Sequence, residues 1–234
     1  MFETVRTLTY LVGLRLRMIR VCRQLRTMDS QEAWEHAYHF IRPEAAGLMK
    51  AIPARVVYHG LENLPEEKGI LFVGNHQSYF DIPVLLACME SPTAFVAKDS
   101  LGSAPIIGPL LKMLDCVLLN REDLRQALAA IQQTSFRLQS GLNMVIFPEG
   151  TRSRCDTMGE FKKGSLKAAT LSGAPIVPFR IDGTHRLYES NRGIRVRSGE
   201  VHVYFGEPIR TADMDRSHQK DLAAHIRDIV AALH

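Results

Sequence analysis

Apolar positions along the chain change period, and the changes divide it. Over residues 7–25 they recur at helical spacing, with Leu11, Leu14, Met18, Val21, Cys22 and Leu25 on one stripe. Residues 30–52 predict a second helical stretch around Trp34, Tyr38, Phe40 and Ile41, stopped near Pro43 and Pro53. From Arg55 onward short apolar runs alternate with longer helical patterns. Strands are predicted at 56–58, 70–73, 93–96, 117–119, 144–147 and 176–181. Between Arg121 and Gly141 lies the clearest helix, its inner face marked by Leu124, Leu128, Ile131, Ser135 and Leu138. A short helix follows over 165–172, before Gly173. Two apolar runs, 194–197 and 201–205, flank Ser198-Gly199 and predict a hairpin. A last amphipathic helix uses Leu222, Ile226, Ile229, Val230 and Leu233.

Strand–helix alternation with one hairpin predicts an α/β fold: a mixed, largely parallel sheet flanked by helices. Residues 1–52 are read as an N-terminal amphipathic helical segment and 53–234 as the α/β domain. A chain of 234 residues can bury one substantial core. In such sheets reactive groups collect beyond the carboxyl ends of parallel strands. Two polar motifs fall there: N-H-Q-S-Y-F-D at 75–81 and F-P-E-G-T-R-S at 147–153.

Charge refines the picture. The formal net charge is +4, yet residues 1–28 hold six arginines (Arg6, Arg15, Arg17, Arg20, Arg23, Arg26) against one acid, Glu3. A basic excess confined to one amphipathic segment suits an anionic membrane surface and is a poor composition for a nucleic-acid groove. Such a helix can lie in the headgroup plane with its stripe toward the acyl chains; docking of the same stripe on the protein's own core is the alternative. The longest uncharged run there is eight residues, 7–14, whereas a spanning helix needs about 20. The four cysteines (Cys22, Cys88, Cys116, Cys155) form no C-x-x-C pair, which argues against a disulfide framework or zinc site and for a reducing compartment.

His76 and Asp81 could not meet on one continuous helix, because five residues turn the helix by about 140°. A turn ahead of a helix lets the carboxylate orient the imidazole, leaving its other nitrogen to take a proton from an attacking alcohol. Asp81 could equally be a helix cap, with Ser78 and Pro83 beside it. In the second motif, Arg152 on a constrained turn can grip a phosphate with two parallel hydrogen bonds.

These blocks resemble the N-H-x4-D and F-P-E-G-T-R-S motifs of the glycerolipid acyltransferases that acylate lysophosphatidic acid or glycerol phosphate. The resemblance spans about residues 55–210. It implies that His76 is the general base and Asp81 its partner, that Glu149, Gly150 and Thr151 shape the acceptor site, and that Arg152 contacts the acceptor phosphate. Phe95-Val-Ala-Lys98 and Val117-Leu-Leu-Asn-Arg121 correspond to the family's intermediate block, without its usual glycine, and add Lys98 and Arg121 as phosphate ligands. Ile176-Val-Pro178 resembles a fourth block that lines the acyl or acceptor pocket.

The implied substrates are a lysophospholipid acceptor and a thioester donor, acyl-coenzyme A or acyl-carrier protein. The implied place is the cytoplasmic face of the cell membrane, peripheral or monotopic. No metal or organic cofactor is called for. The Gly159–Ser165 stretch lacks the lysine of a phosphate-binding loop, and no G-x-S-x-G elbow is present. A lyso-amino-lipid acceptor and a non-catalytic membrane-docking protein are the competing readings.

Overall fold

The computed structural model describes residues 2–105, 107–120, 122–212 and 214–234. Helices α1 (Phe2–Gln24) and α2 (Ser30–Ala51) precede the sheet. Its strands are β1 (Ala54–His59), β2 (Leu71–Gly74), β3 (Thr93–Lys98), β4 (Val117–Leu119), β5 (Asn143–Ile146), β6 (Ile176–Asp182) and β7 (Gly199–Phe205), in the order β1-β7-β6-β2-β5-β3-β4. Between them come α3 (Asp81–Cys88), α4 (Ile107–Met113), α5 (Leu124–Gln139), α6 (Lys167–Ser172) and α7 (Thr184–Leu187), and α8 (Arg216–Ala232) follows.

Strands β2 to β6 pair in parallel. Strand β7 is antiparallel to β6, and β1 is parallel to β7, so β1 and β7 run against the other five. The central strands are apolar without a break because both faces are covered. Phe72, Val145 and Val177 point into a core shared with α1, α2 and α3. Leu71, Val73, Met144 and Ile176 point the other way, into a core shared with α5, α6 and α8.

All six predicted strands form, but four expectations are corrected. Pro43 does not stop α2, which runs on to Ala51; it lies on an exposed face, where solvent can serve the carbonyl it leaves unpaired. No hairpin forms around Ser198-Gly199. Residues 194–198 are not a strand; the Val196 amide donates to Thr4 Oγ1 and the Arg197 amide to the Leu187 carbonyl, and β1 takes the place beside β7.

On α5 the buried residues are Ala130, Thr134, Ser135 and Leu138, while Leu124 is 75% exposed and Leu128 is also exposed. Close packing against α6, whose Ala168 and Ala169 are buried, selects small side chains over the bulkiest stripe. The helix is otherwise bounded as expected: Asp123 accepts the Arg125 and Gln126 amides, and Gly141 follows its end.

The fourth correction concerns α1. The stripe assigned to lipid faces the protein: Leu14, Met18 and Val21 are buried in the core, with Leu11, Cys22 and Leu25 packed against it. Arg17 grips Glu44 through Nε and Nη2, and Arg6 donates to the Ala51 and Lys50 carbonyls at the end of α2. Two of the six arginines thus fasten α1 to α2. A second apolar row, Phe2, Val5, Leu8, Val12, Leu16 and Ile19, is exposed on the far side. Among the described residues no helix is long and apolar enough to cross a membrane.

This arrangement sets a contrast for denaturant unfolding in detergent-free buffer. Met18→Ala, at a fully buried position, should lose about 2–5 kcal/mol. Leu16→Ala, 65% exposed, should change stability by less than about 0.5 kcal/mol. Equal losses would contradict the docking of α1.

Candidate active site

The chain leaves β2 into a loop held by its own side chains. Asn75 is buried and acts as one more rung of the ladder: Nδ2 donates to the Ile181 carbonyl and Oδ1 accepts the Ile181 amide, both at 2.8 Å. Gln77 Oε1 accepts the Gly183 amide at 3.1 Å. Between these anchors His76 donates from Nδ1 to Asp81 Oδ2 at 2.6 Å.

Asp81 begins α3 and is 0% exposed. Its Oδ2 also accepts the Gln77 and Ser78 amides at 2.7 and 3.0 Å, and its Oδ1 accepts the Thr184 hydroxyl. Of the two sequence readings of Asp81, the pairing with the imidazole is the one the geometry shows; Phe80 is the N-cap of α3, and the amides Asp81 accepts belong to the loop ahead of the helix. With Nδ1–H given to Asp81, a neutral ring carries its lone pair on Nε2.

The loop after β5 supports the same histidine. The Phe147 ring stacks on the imidazole at 4.1 Å between centroids, with 16° between planes. Buried Glu149 accepts the His76 amide on Oε1 at 2.7 Å and the Gly159 amide on Oε2 at 2.8 Å. Ser153 donates its amide to the His76 carbonyl at 2.8 Å, so both backbone groups of His76 are tied to this loop. Gly150 turns the chain at φ +77°, where a side chain would be strained. Burial pushes the Glu149 carboxyl above its ordinary range, against the two amides and the nearby imidazole, which pull it down.

The basic residues are less uniform than expected. Arg152 donates from Nη1 to Glu189 Oε1 at 2.9 Å, and its guanidinium carbon lies 3.4 Å from the Tyr79 ring centroid. Lys98 is exposed at the carboxyl end of β3, beside β5 and therefore on the same sheet edge as His76. Thr151 is exposed on the loop. Arg121 lies outside the described residues. Ile176 to Pro178 form the start of β6 and are buried in the sheet.

Next to Phe147 a cavity of about 290 Å³ is lined by Val96, Leu119, Ile131, Ile146 and Phe147, with Lys163 also on its wall. Among the described residues no group of three or more His, Cys, Asp or Glu side chains is arranged to hold a metal ion. Thr184 and Glu189 lie outside both motifs, and Asn75, though first in its motif, has no role that the sequence signals. Thr184 meets Asp81 across 103 positions, and no local spacing announces such a contact.

Residues 55–182 match the profile of the acyltransferase family. The chain is 36% identical over 168 residues to a 1-acyl-sn-glycerol-3-phosphate acyltransferase of Chlamydomonas reinhardtii, covering 71% of this chain and 50% of that protein. It is 29% identical over 175 residues to the Borreliella burgdorferi 1-acyl-sn-glycerol-3-phosphate acyltransferase, covering 74% and 69%. The crystal structure of the 1-acyl-sn-glycerophosphate acyltransferase PlsC from Thermotoga maritima superposes with a TM-score of 0.83 at 26% identity, over 97% of this chain and 91% of that one. The chain spans about half the length of the algal and plant relatives it matches.

Two measurements test this geometry. Thr184→Val withdraws one donor from a buried carboxylate and should cost about 1.5–3 kcal/mol in denaturant unfolding near neutral pH; an unchanged midpoint would refute the contact. Glu149→Gln should lose stability by a fixed amount from mismatched amides, with a pH-dependent part superimposed. A carboxyl raised on folding adds stability below its unfolded value and loses it as pH climbs through the folded one. The pH-dependent advantage of wild type over Glu149→Gln should therefore be fullest below about pH 4 and shrink as pH rises from the ordinary glutamate range.

Proposed function

Because this chain belongs to the acyltransferase family, we propose that it moves a fatty acyl group from a thioester to the free hydroxyl of 1-acyl-sn-glycerol-3-phosphate, giving phosphatidic acid. The observation that carries this reading is the imidazole of His76, oriented by a fully buried carboxylate and bound through its backbone to the loop that bears Arg152.

In this mechanism His76 Nε2 takes the hydroxyl proton as the oxygen attacks the thioester carbonyl. Asp81 stabilises the imidazolium that results. Collapse of the tetrahedral intermediate expels the thiolate, which receives the same proton and leaves as a free thiol. General base action contributes about 10²–10⁴-fold, and positioning must supply much of the rest. Attack is direct, since among the described residues no serine or cysteine side chain is hydrogen-bonded to His76, and burial pushes the thiols of Cys88 and Cys116 up to about 12. Lys98, Arg121 and Arg152 bind the acceptor phosphate, and Glu149 with Gly150 and Thr151 shapes the loop around it. The cavity beside Phe147 takes an acyl chain, since its wall is mostly apolar, with Lys162 and Lys163 on one side, and includes the ring that stacks on the imidazole. The donor is acyl-coenzyme A or acyl-carrier protein.

The protein works at the cytoplasmic face of the membrane as a peripheral or monotopic protein. The exposed row from Phe2 to Ile19 supplies apolar area to insert. Arg15, Arg20, Arg23 and Arg26, which have no ion pair among the described residues, supply attraction to anionic headgroups.

His76→Ala should lower phosphatidic acid formation by at least about 10²-fold while circular dichroism stays that of wild type; near-normal turnover would reject the mechanism. Running the assay with lysophosphatidic acid and matched coenzyme-bound and carrier-bound donors identifies the thioester. Val12→Glu with Leu16→Glu should weaken co-sedimentation with phosphatidylglycerol vesicles by more than about tenfold, from the apolar area withdrawn. Undiminished sedimentation would remove α1 from the membrane contact.

A further inference from the structure

Arg152 is held on two sides, by Glu189, which lies outside both motifs, and by Tyr79, one of the unspecified positions of the first. Glu189, in the chain just after α7, is 4% exposed at its side chain, and its Oε1 accepts both Arg152 Nη1 at 2.9 Å and the Tyr79 amide at 3.1 Å. The face of the guanidinium rests on the Tyr79 ring, 3.4 Å from carbon to centroid. Tyr79 is three residues from His76 in the loop before α3, so one carboxylate joins that loop to the loop of Arg152. The remaining oxygen, Glu189 Oε2, is buried and takes no hydrogen bond among the described residues. A half-satisfied buried carboxylate beside a cation is unfavourable for packing alone and characteristic of a site.

We propose that Glu189 and Tyr79 form a clamp that fixes the plane of the Arg152 guanidinium, and that this clamp sets selectivity for phosphate-bearing acceptors. The inference rests on the phosphate-binding role proposed above for Arg152. A free arginine must lose the mobility of a long side chain when it binds, whereas a clamped one has lost it already. With one Nη1–H on Glu189 and one face on Tyr79, the outer edge of the fork keeps donors for two parallel bonds to a phosphate. Glu189 also neutralises the guanidinium, so recognition here is by geometry more than by net charge. Exposed Lys98 supplies the net charge at the edge. Glu189 is thus a positioning residue acting through Arg152.

The test compares lysophosphatidic acid with monoacylglycerol, which lacks the phosphate, using wild type, Glu189→Gln, Tyr79→Leu and Arg152→Ala. Both clamp variants should raise KM for lysophosphatidic acid by about tenfold, lower kcat by less than about threefold, and reduce preference over monoacylglycerol. In the Arg152→Ala background neither should add more than about twofold, because residues acting through one another are not additive. Tyr79 is 45% exposed, so its variant should fold even where Glu189→Gln does not. Equal losses on both acceptors, or additivity with Arg152→Ala, would overturn the clamp. Binding of glycerol 3-phosphate by calorimetry separates the two layers of argument. If wild type binds it through Arg152 and the clamp yet acylates neither acceptor, the acyl-transfer reading fails and the clamp stands. Binding that is absent, or identical in wild type and the clamp variants, overturns the clamp.

Discussion

Everything at the reactive edge is organised around one buried negative charge. Asp81 has no exposure to water, so its carboxylate must find donors within the protein, and it finds four: an imidazole, two amides and a hydroxyl. Meeting that requirement forces the chain between β2 and α3 into a single turn. The turn fixes which ring nitrogen of His76 is occupied and which is open. A local demand of solvation is thereby converted into a defined chemical polarity at the histidine.

A second carboxylate performs the same service one layer out. Glu149 spans from the amide of His76 to that of Gly159, and Ser153 returns a bond to the carbonyl of His76. Two loops from neighbouring strands are thus locked at the backbone of His76, by the Glu149 carboxylate on its amide and the Ser153 amide on its carbonyl. The segment from Thr184 to Glu189 closes the arrangement, since its first residue reaches Asp81 and its last reaches Arg152.

The sequence is legible where the physics is local. Strand positions follow from unbroken apolar runs covered on both faces, and His76 and Asp81 follow from a spacing that only a turn can reconcile. It is less legible where partners are distant. Asn75 substitutes for backbone on a strand more than a hundred positions away, and Glu189 lies outside both motifs. On α5 the expected inner face holds at Ile131, Ser135 and Leu138 and fails at Leu124 and Leu128, because bulk outweighs fit in a periodicity reading and the alanines that permit close approach to α6 carry little hydrophobic weight. Helix α1 misled for a different reason. It has two apolar rows, and periodicity finds a stripe without revealing which one the fold will cover.

The direction of β1 sets where the start of α1 lies relative to His76. Because β1 runs against β2, its amino end, reached directly from α2, lies at the edge from which His76 emerges. Three strand spacings separate them, roughly 14 Å. Arg6 pins the beginning of α1 to this same corner through the Ala51 carbonyl. Chain polarity therefore brings the start of α1, with exposed Phe2 and Val5, to the rim that bears His76. Were that end of the helix to meet a membrane, as proposed, an acceptor held in the leaflet would reach the site by a two-dimensional search along the rim, with no passage through water.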